Sequence, residues 1–101
     1  MLYVLYCLDD PAKNDIRMAT RGAHLDHIAA SGDLVRVAGP LLADDGVTMV
    51  GSLIVLEAPN RATAEAWARS DPYAKAGLFK SVDIRPWKWS IGVPAPLAPK
   101  D

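Results

Sequence analysis

The chain has 101 residues, which is enough for one globular domain and too few for two. Half of the residues are apolar and 23% are charged, as is ordinary for a soluble globular protein. A formal net charge of −1 argues against a nucleic-acid partner, because such a partner requires a basic surface.

The N-terminal third predicts a strand followed by a long helix. The apolar run from Leu2 to Leu8 is typical of a central strand that is buried on both faces. It ends at Asp9-Asp10-Pro11 and is too short for a signal peptide or a membrane span, so we expect a cytoplasmic protein with no membrane partner. A helix is predicted from Asn14 to Ala30, closed by Ser31-Gly32.

The single cysteine lies within the first predicted strand. One cysteine cannot form an internal disulfide. The neighbours of Cys7 are apolar, which favours a small buried core residue over a nucleophile.

The phase of the predicted helix separates the two histidines. At about 100° per residue, one stripe of the helix is apolar and is expected to face the core. This stripe consists of Met18, Gly22, Leu25 and Ala29. His24 lies roughly a quarter-turn from its centre, whereas His27 projects almost opposite to it. The phase therefore predicts that His24 borders the interior and can line a pocket, and that His27 faces water.

The middle of the chain predicts two more strands. The first runs from Leu34 to Leu41, with Gly39-Pro40 as a kink or a strand end. Asp44-Asp45-Gly46 is a turn signal. The next strand is predicted from about Val47 to Glu57.

The C-terminal part predicts two helices and a last strand. Asn60 is a suitable N-cap for a helix from Arg61 to Arg69, and a short helix is predicted from Pro72 to Gly77. The last strand is predicted from Val82 to Trp89. Its large apolar residues occupy even positions in the first half of the strand and odd positions in the second half, which predicts a bulge near Pro86.

The order βαββαβ predicts a ferredoxin-like α+β fold, with a four-stranded antiparallel sheet and both helices on one face. We assign residues 1–91 to this domain and residues 92–101 to a Pro-rich tail, expected to be extended or disordered. The first and third strands are apolar on both faces, but the helices cover only one. The uncovered face therefore predicts a homodimer that packs sheet against sheet.

Five residues are candidates for a site. His24 can exchange protons near neutral pH, although histidines that border a core are more often structural. Arg21, one turn earlier, could bind an anionic group or pair with a surface carboxylate. Asp71 is a favoured N-cap for the short helix and could instead orient His24. Ser52 could donate a hydrogen bond into a cleft, and Tyr73 could form an aromatic wall.

No cofactor or metal is expected from the sequence. The two histidines lie on opposite sides of the predicted helix and, with one buried cysteine, make no ligand set for a metal ion. A Gly-rich phosphate loop and the Gly-x-Ser-x-Gly motif are both absent from the sequence.

Several short motifs in fixed order make the chain resemble the YciI-like (YCII-related) family over roughly residues 1–90. These motifs are Met1-Leu-Tyr-Val-Leu-Tyr6, Arg21-Gly-Ala-His24-Leu25, Ala38-Gly39-Pro40, Gly51-Ser52, Ala64-Glu-Ala-Trp67, Ser70-Asp71-Pro72-Tyr73, Gly77 and Ile84-Arg-Pro-Trp87. The sequence departs from the family at Gly22, where a proline often stands, and in the tail from Gly92, which has no family counterpart.

The resemblance implies a ferredoxin-like fold, dimerisation through the sheets and an active site centred on His24 and Asp71, with Arg21 and Ser52 beside them. One similar group removes chloride from a chlorinated hydroxyhydroquinone without a cofactor, and related dimeric proteins include muconolactone isomerases. The expected function is thus a cofactor-independent lyase or isomerase of the dehydrochlorinase type, acting on a small polar ring compound such as a hydroxyquinol.

Two other functions remain open at this stage. The first is a non-catalytic ligand-binding or accessory dimer, in which the His–Asp pair is a structural polar network. The second is a regulatory or interaction module, which rests only on the exposed sheet and the Pro-rich tail.

Overall fold

The computed structural model describes residues 1–92. Its elements are β1 (Leu2–Asp9), α1 (Asn14–Ala30), β2 (Val35–Leu42), β3 (Met49–Glu57), α2 (Arg61–Ser70), α3 (Pro72–Lys75) and β4 (Phe79–Trp87), with short 3-10 turns before α1 and β2. The predicted bounds of the long helix α1 are confirmed. The predicted tail, residues 92–101, lies outside the described residues except for Gly92.

The four strands form one antiparallel sheet in the order β2-β3-β1-β4. Alternate residues of β1 and β3 face the helices, as shown by the pairs Leu5–Ile54 and Cys7–Ser52. Both long helices pack over this face, since their buried side chains meet the same row of residues. The predicted ferredoxin-like α+β fold is confirmed.

The apolar core lies between the sheet and α2. The sheet contributes Tyr3, Leu5, Cys7, Ile54, Leu56 and Ile84, and the helix side contributes Ala58, Ala64 and Trp67. A large apolar side chain that is fully buried contributes about 1.5–3 kcal/mol. The side chain of Asn60 accepts a hydrogen bond from the backbone N–H of Thr63 at 2.9 Å, so the predicted N-cap of α2 is confirmed.

The last strand begins earlier and is more regular than predicted. β4 starts at Phe79, which pairs with Asp9, and the register irregularity lies at this end of the strand. The predicted bulge near Pro86 is therefore wrong. The change of parity needs no bulge, because Ile84 faces the helices and Trp87 faces the uncovered side of the same regular strand. Trp89 lies beyond the end of the strand and packs against Trp87, with the ring centroids 5.3 Å apart.

The strand β2 continues through Gly39 and Pro40 to Leu42, so of the two alternatives at Gly39-Pro40, a kink or a strand end, the strand end is excluded. β2 lies at the edge of the sheet, where the missing N–H of proline is tolerated. The turn before β3 is closed by Asp45, whose carboxylate accepts hydrogen bonds from the backbone of Val47 and Thr48 at 2.8 and 2.9 Å. These residues therefore belong to the turn, and β3 starts at Met49 rather than at Val47.

The apolar stripe of α1 that was predicted to face the core is wrong, whereas the predicted position of His24 at the interior is confirmed. Met18 and Leu25, expected to face the core, are 64% and 47% exposed, whereas the buried residues of the helix are Arg17 and His24. The buried side of α1 carries polar groups, and the guanidinium of Arg17 is stabilised there by an ion pair with Asp9 at the end of β1. His27 does not simply face water, since its ring packs on Trp67 at a centroid distance of 4.8 Å.

The face of the sheet opposite the helices carries exposed apolar side chains. They include Tyr6, Val37, Leu53 and Trp87, each between 37% and 46% exposed. β1 and β3 are thus apolar on both faces, as the sequence predicted. Within residues 1–92 no helix has both the length and the apolar character needed to cross a membrane.

Candidate active site

A cleft of about 150 Å³ lies between α1 and the half of the sheet formed by β2 and β3. Its lining residues are Arg17, Arg21, His24, Leu25 and Ile28 from α1, Ala38, Gly39 and Pro40 from β2, Met49, Ser52 and Ile54 from β3, and Tyr73 from α3. A cavity of about this volume accommodates one six-membered ring. Four of the five predicted site residues line this cleft, and Asp71 lies behind it.

The predicted pair of His24 and Asp71 is in contact. Nδ1 of His24 lies 2.9 Å from Oδ1 of Asp71, and the two residues are 8% and 1% exposed. A carboxylate can only accept, so Nδ1 carries the hydrogen in this contact and Nε2 is the ring nitrogen left for a ligand. This tautomer is assigned from the hydrogen bond.

Asp71 also caps the short helix α3. The same oxygen, Oδ1, accepts a hydrogen bond from the backbone N–H of Tyr73 at 3.0 Å. The two readings of Asp71 left open by the sequence, a helix cap and a partner of His24, are therefore both present in the geometry. One carboxylate oxygen links α1 to the start of α3.

The ring of Tyr73 contacts two side chains of α1, those of His24 and Arg17. Its ring stacks on His24 with centroids 4.1 Å apart, and the guanidinium carbon of Arg17 lies 4.6 Å from the ring centroid. A face covered by a stacked imidazole has no room for a second group, so Arg17 occupies the opposite face. Burial raises the pKa of Tyr73, although the charges of Arg17 and Arg21 oppose this shift. The hydroxyl is thus a neutral donor near pH 7.

Arg17 and Asp9 belong to the site but were not predicted from the sequence. Arg17 donates two hydrogen bonds to the Asp9 carboxylate, at 2.6 and 2.8 Å, and a third to Oγ of Ser52 at 3.0 Å. Burial lowers the pKa of Arg17, but the Asp9 carboxylate outweighs this effect and raises it above its usual value. The spacing of Arg17 and His24, two helical turns apart, was the available signal.

Ser52 is placed by the close approach of β3 to β1. A Cβ atom at the preceding residue, Gly51, would lie 2.2 Å from the carbonyl oxygen of Cys7, so only glycine fits there. Cys7 pairs with Ser52 across the strands and is buried in the core. Burial, together with the charges of Asp71 and Asp9, raises the pKa of Cys7 to about 12. This thiol stays protonated, in agreement with the predicted core residue.

Arg21 is exposed at the cleft, and no carboxylate of residues 1–92 lies within ion-pair distance of it. In the same residues, no group of three or more side chains is arranged to hold a metal ion. The polar side chains that line the cleft are those of His24, with the Asp71 carboxylate behind it, Ser52, Tyr73, the buried Arg17 and the exposed Arg21.

Fold and site together define a ferredoxin-like α+β protein with a mostly apolar cleft into which a few polar side chains project. The profile of the YCII-related domain matches residues 1–88, and the chain belongs to this family. Protein YciI of Escherichia coli O6:H1 is 35% identical over 95 residues, covering 87% of this chain and 97% of the relative. An uncharacterized protein of Haemophilus influenzae is 30% identical over the same shares of the two chains.

A solved structure resembles the whole described fold. It is 5-chloro-2-hydroxyhydroquinone dehydrochlorinase (TftG) from Burkholderia phenoliruptrix, in complex with 2,5-dihydroxybenzoquinone. The two chains superpose with a TM-score of 0.79 at 31% identity, covering 87% of this chain and 94% of the other. The family and fold expected from the sequence motifs are thereby confirmed.

Proposed function

We propose that this protein is a cofactor-independent lyase or isomerase that acts on a small, oxygenated ring compound, with dehydrochlorination of a chlorinated hydroxyhydroquinone as the specific reaction. The observation that carries the proposal is the buried His24–Asp71 pair, which leaves Nε2 of His24 free at a cleft sized for one ring. The likeness to a dehydrochlorinase supports the same reaction class.

The proposed reaction is internally balanced. Loss of HCl from a chlorinated hydroxyhydroquinone gives a hydroxybenzoquinone, because the ring is oxidised while its carbon–chlorine bond is replaced by a carbon–hydrogen bond. Two hydroxyl protons leave, one to the ring carbon that carried chlorine and one with the departing chloride. No external oxidant is required, and the chemistry that the protein must supply is proton transfer.

His24 carries the proton transfer in this proposal. Its Nε2 accepts a hydroxyl proton and returns it to the ring carbon, while Asp71 fixes the tautomer and stabilises the imidazolium that forms in between. Such acid/base assistance accelerates a reaction by about 10²–10⁴-fold. This limited factor favours a substrate that already ionises readily, such as a polyhydroxylated ring.

Arg21 and Ser52 would hold the oxygen on which negative charge develops. Arg21 brings an exposed positive charge to the cleft, and Ser52 brings a buried hydroxyl. Donors that are already in place when charge develops stabilise the transition state more than they stabilise the neutral substrate. Tyr73 packs on the imidazole and restricts its motion.

The test is the release of chloride from 5-chloro-2-hydroxyhydroquinone. Wild-type protein should release chloride and form the hydroxybenzoquinone in equal amounts, faster than in buffer alone, and without added metal or cofactor. A rate equal to that of the buffer control would overturn the dehydrochlorinase proposal.

The second candidate is a non-catalytic ligand-binding protein in which the His–Asp pair is structural. It is favoured by one observation, the shared Oδ1 of Asp71, which ties His24 to the start of α3. Asp71→Asn separates the two candidates, because the amide oxygen can still accept from the Tyr73 N–H and keep the cap of α3, whereas the negative charge that faces His24 is lost. An enzyme should lose turnover by at least about tenfold, with little change in stability. A structural pair should instead lose roughly 1–3 kcal/mol of unfolding free energy.

We also propose that two copies of this chain pack through the uncovered face of the sheet. The exposed apolar side chains of β1 and β3 on that face support the proposal, since patches of this kind usually mark association surfaces. Sedimentation at micromolar concentration should give twice the chain mass, and Leu53→Asp should give monomers or unfolded chains. A monomeric wild type would refute the homodimer.

A further inference from the structure

We propose that the Ser52 hydroxyl is the directional donor that recognises an oxygen anion of the bound ring, and that Arg17, fixed by Asp9, is the positioning residue that aims this hydroxyl. The inference deepens the proposed function and rests on it. It assigns a role to two buried charged residues that the proton transfer at His24 does not use.

The hydroxyl of Ser52 has a single hydrogen, which its contact with Arg17 does not use. Nη2 of Arg17 donates to Oγ of Ser52 at 3.0 Å, so the serine oxygen is the acceptor in this contact. A guanidinium has no acceptor, and the serine cannot donate back to it. Among the hydrogen bonds of residues 1–92 the Ser52 hydroxyl has no other partner. Because Ser52 lines the cleft, its hydrogen is available to a ligand there.

The guanidinium of Arg17 is held in place by Asp9. Its Nε and Nη2 atoms hold both oxygens of Asp9, the two-point arrangement that fixes the plane of a guanidinium. The ring of Tyr73 packs against the guanidinium, with its centroid 4.6 Å from the guanidinium carbon. Arg17 and Asp9 are both buried, so water does not compete for these bonds. The donor to Ser52 is thus held in one orientation before any ligand arrives.

The positive charge in the cleft and the directed hydrogen bond to the ligand come from different residues. Asp9 neutralises most of the charge of Arg17, which therefore contributes little net attraction for an anion. Arg21 is exposed at the cleft and has no such partner in residues 1–92, so it supplies the positive charge. The hydroxyl of Ser52 then supplies the directed hydrogen bond to the ligand oxygen. The matching ligand carries a phenolate or enolate oxygen on a single ring.

The test is binding of 2,5-dihydroxybenzoquinone, whose acidic hydroxyls present such oxygens near neutral pH, measured by titration calorimetry. Ser52→Ala should weaken binding by about 10-fold to 100-fold, the range expected for a hydrogen bond to a charged group. Ser52→Thr keeps the hydroxyl and should bind within a few-fold of wild type. Ser81→Ala, an exposed serine of β4, is the matched control and should bind as wild type does.

Arg17→Lys tests the positioning role. A lysine ammonium keeps the buried charge but cannot hold Asp9 and Ser52 in the same fork. It should weaken binding nearly as much as Ser52→Ala, and the double variant should bind no more weakly than Ser52→Ala alone. If Arg17→Lys does not fold, the Ala and Thr variants of Ser52 still decide whether the hydroxyl is the donor.

The outcomes distinguish this inference from the proposed function. Equal affinity of wild type and Ser52→Ala would overturn the role of the hydroxyl while leaving the His24 chemistry intact. Independent, additive losses in the double variant would overturn the positioning by Arg17. A wild type that does not bind the quinone at all would overturn the proposed function and this inference together.

Discussion

The two long helices cover the same face of one sheet in opposite ways. α2 buries Ala64 and Trp67 against the core, as an amphipathic helix should. α1 buries Arg17 and His24, and leaves the apolar Met18 largely exposed. One half of the covered face is therefore packed core, and the other half borders a cleft that contains buried polar side chains.

The two halves of this small domain therefore have different roles, one in the stability of the fold and the other in the proposed chemistry. The α2 half supplies the apolar burial that holds the fold. The α1 half contains buried polar groups that are held as pairs, the ion pair of Arg17 with Asp9 and the hydrogen bond of His24 with Asp71. We therefore expect substitutions in the α2 half to change the unfolding free energy, and substitutions in the α1 half to change binding and turnover.

The largest expected effect on stability comes from the α2 half. Trp67→Ala removes a buried indole from the core and should cost about 3–5 kcal/mol of unfolding free energy, measured by urea denaturation. Turnover per folded molecule should change little, because the indole does not line the cleft. A large loss of turnover in protein that is still folded would break the proposed division between the two halves.

The next effect is a loss of stability at alkaline pH that originates at Cys7. Its folded-state pKa of about 12 lies above the unfolded value of 9.0, so the unfolded chain releases its proton first as the pH rises. The thiol's contribution is intact below pH 9 and should decrease by about 1.4 kcal/mol per pH unit between pH 9 and pH 12. Cys7→Ala should show a smaller decrease over this range in urea titrations. An identical pH profile in both proteins would contradict the assignment.

A smaller effect is expected at the contact that places Ser52. Gly51→Ala forces a methyl group against the carbonyl oxygen of Cys7 and should cost roughly 1–3 kcal/mol. Gly22→Ala is the matched control, because a Cβ there meets no atom within 4 Å and alanine favours the helix. The control should be stabilised by about 0.5–1 kcal/mol. Equal stability changes in the two variants would contradict the close approach of β3 to β1.

The sequence predicted the architecture well because the fold depends on patterns that are local. The apolar runs of β1 and β3, the turn at Asp45 and the cap at Asn60 each carry their own signal. The order of the elements then restricted the topology to a ferredoxin-like sheet. The family motifs, rather than the periodicity, paired His24 with Asp71, which lie 47 positions apart.

The phase of α1 could not be read from apolar periodicity because this helix reverses the usual rule. The stripe through Met18 and Leu25 is the more exposed one, because the buried side of the helix carries Arg17 and His24. The pairing of Arg17 with Asp9 depends on how the end of β1 meets the second turn of α1, and no residue pattern encodes that geometry. Sequence rules are expected to fail where polar groups are buried for function.

The most direct test of the account compares the two histidines of α1 in one assay. His24 faces the cleft, whereas His27 packs on Trp67 outside it. Chloride release from 5-chloro-2-hydroxyhydroquinone should fall by about 10²–10⁴-fold in His24→Ala and should stay within a few-fold of wild type in His27→Ala. Equal rates in both variants, whether high or low, would contradict a reaction centred on His24.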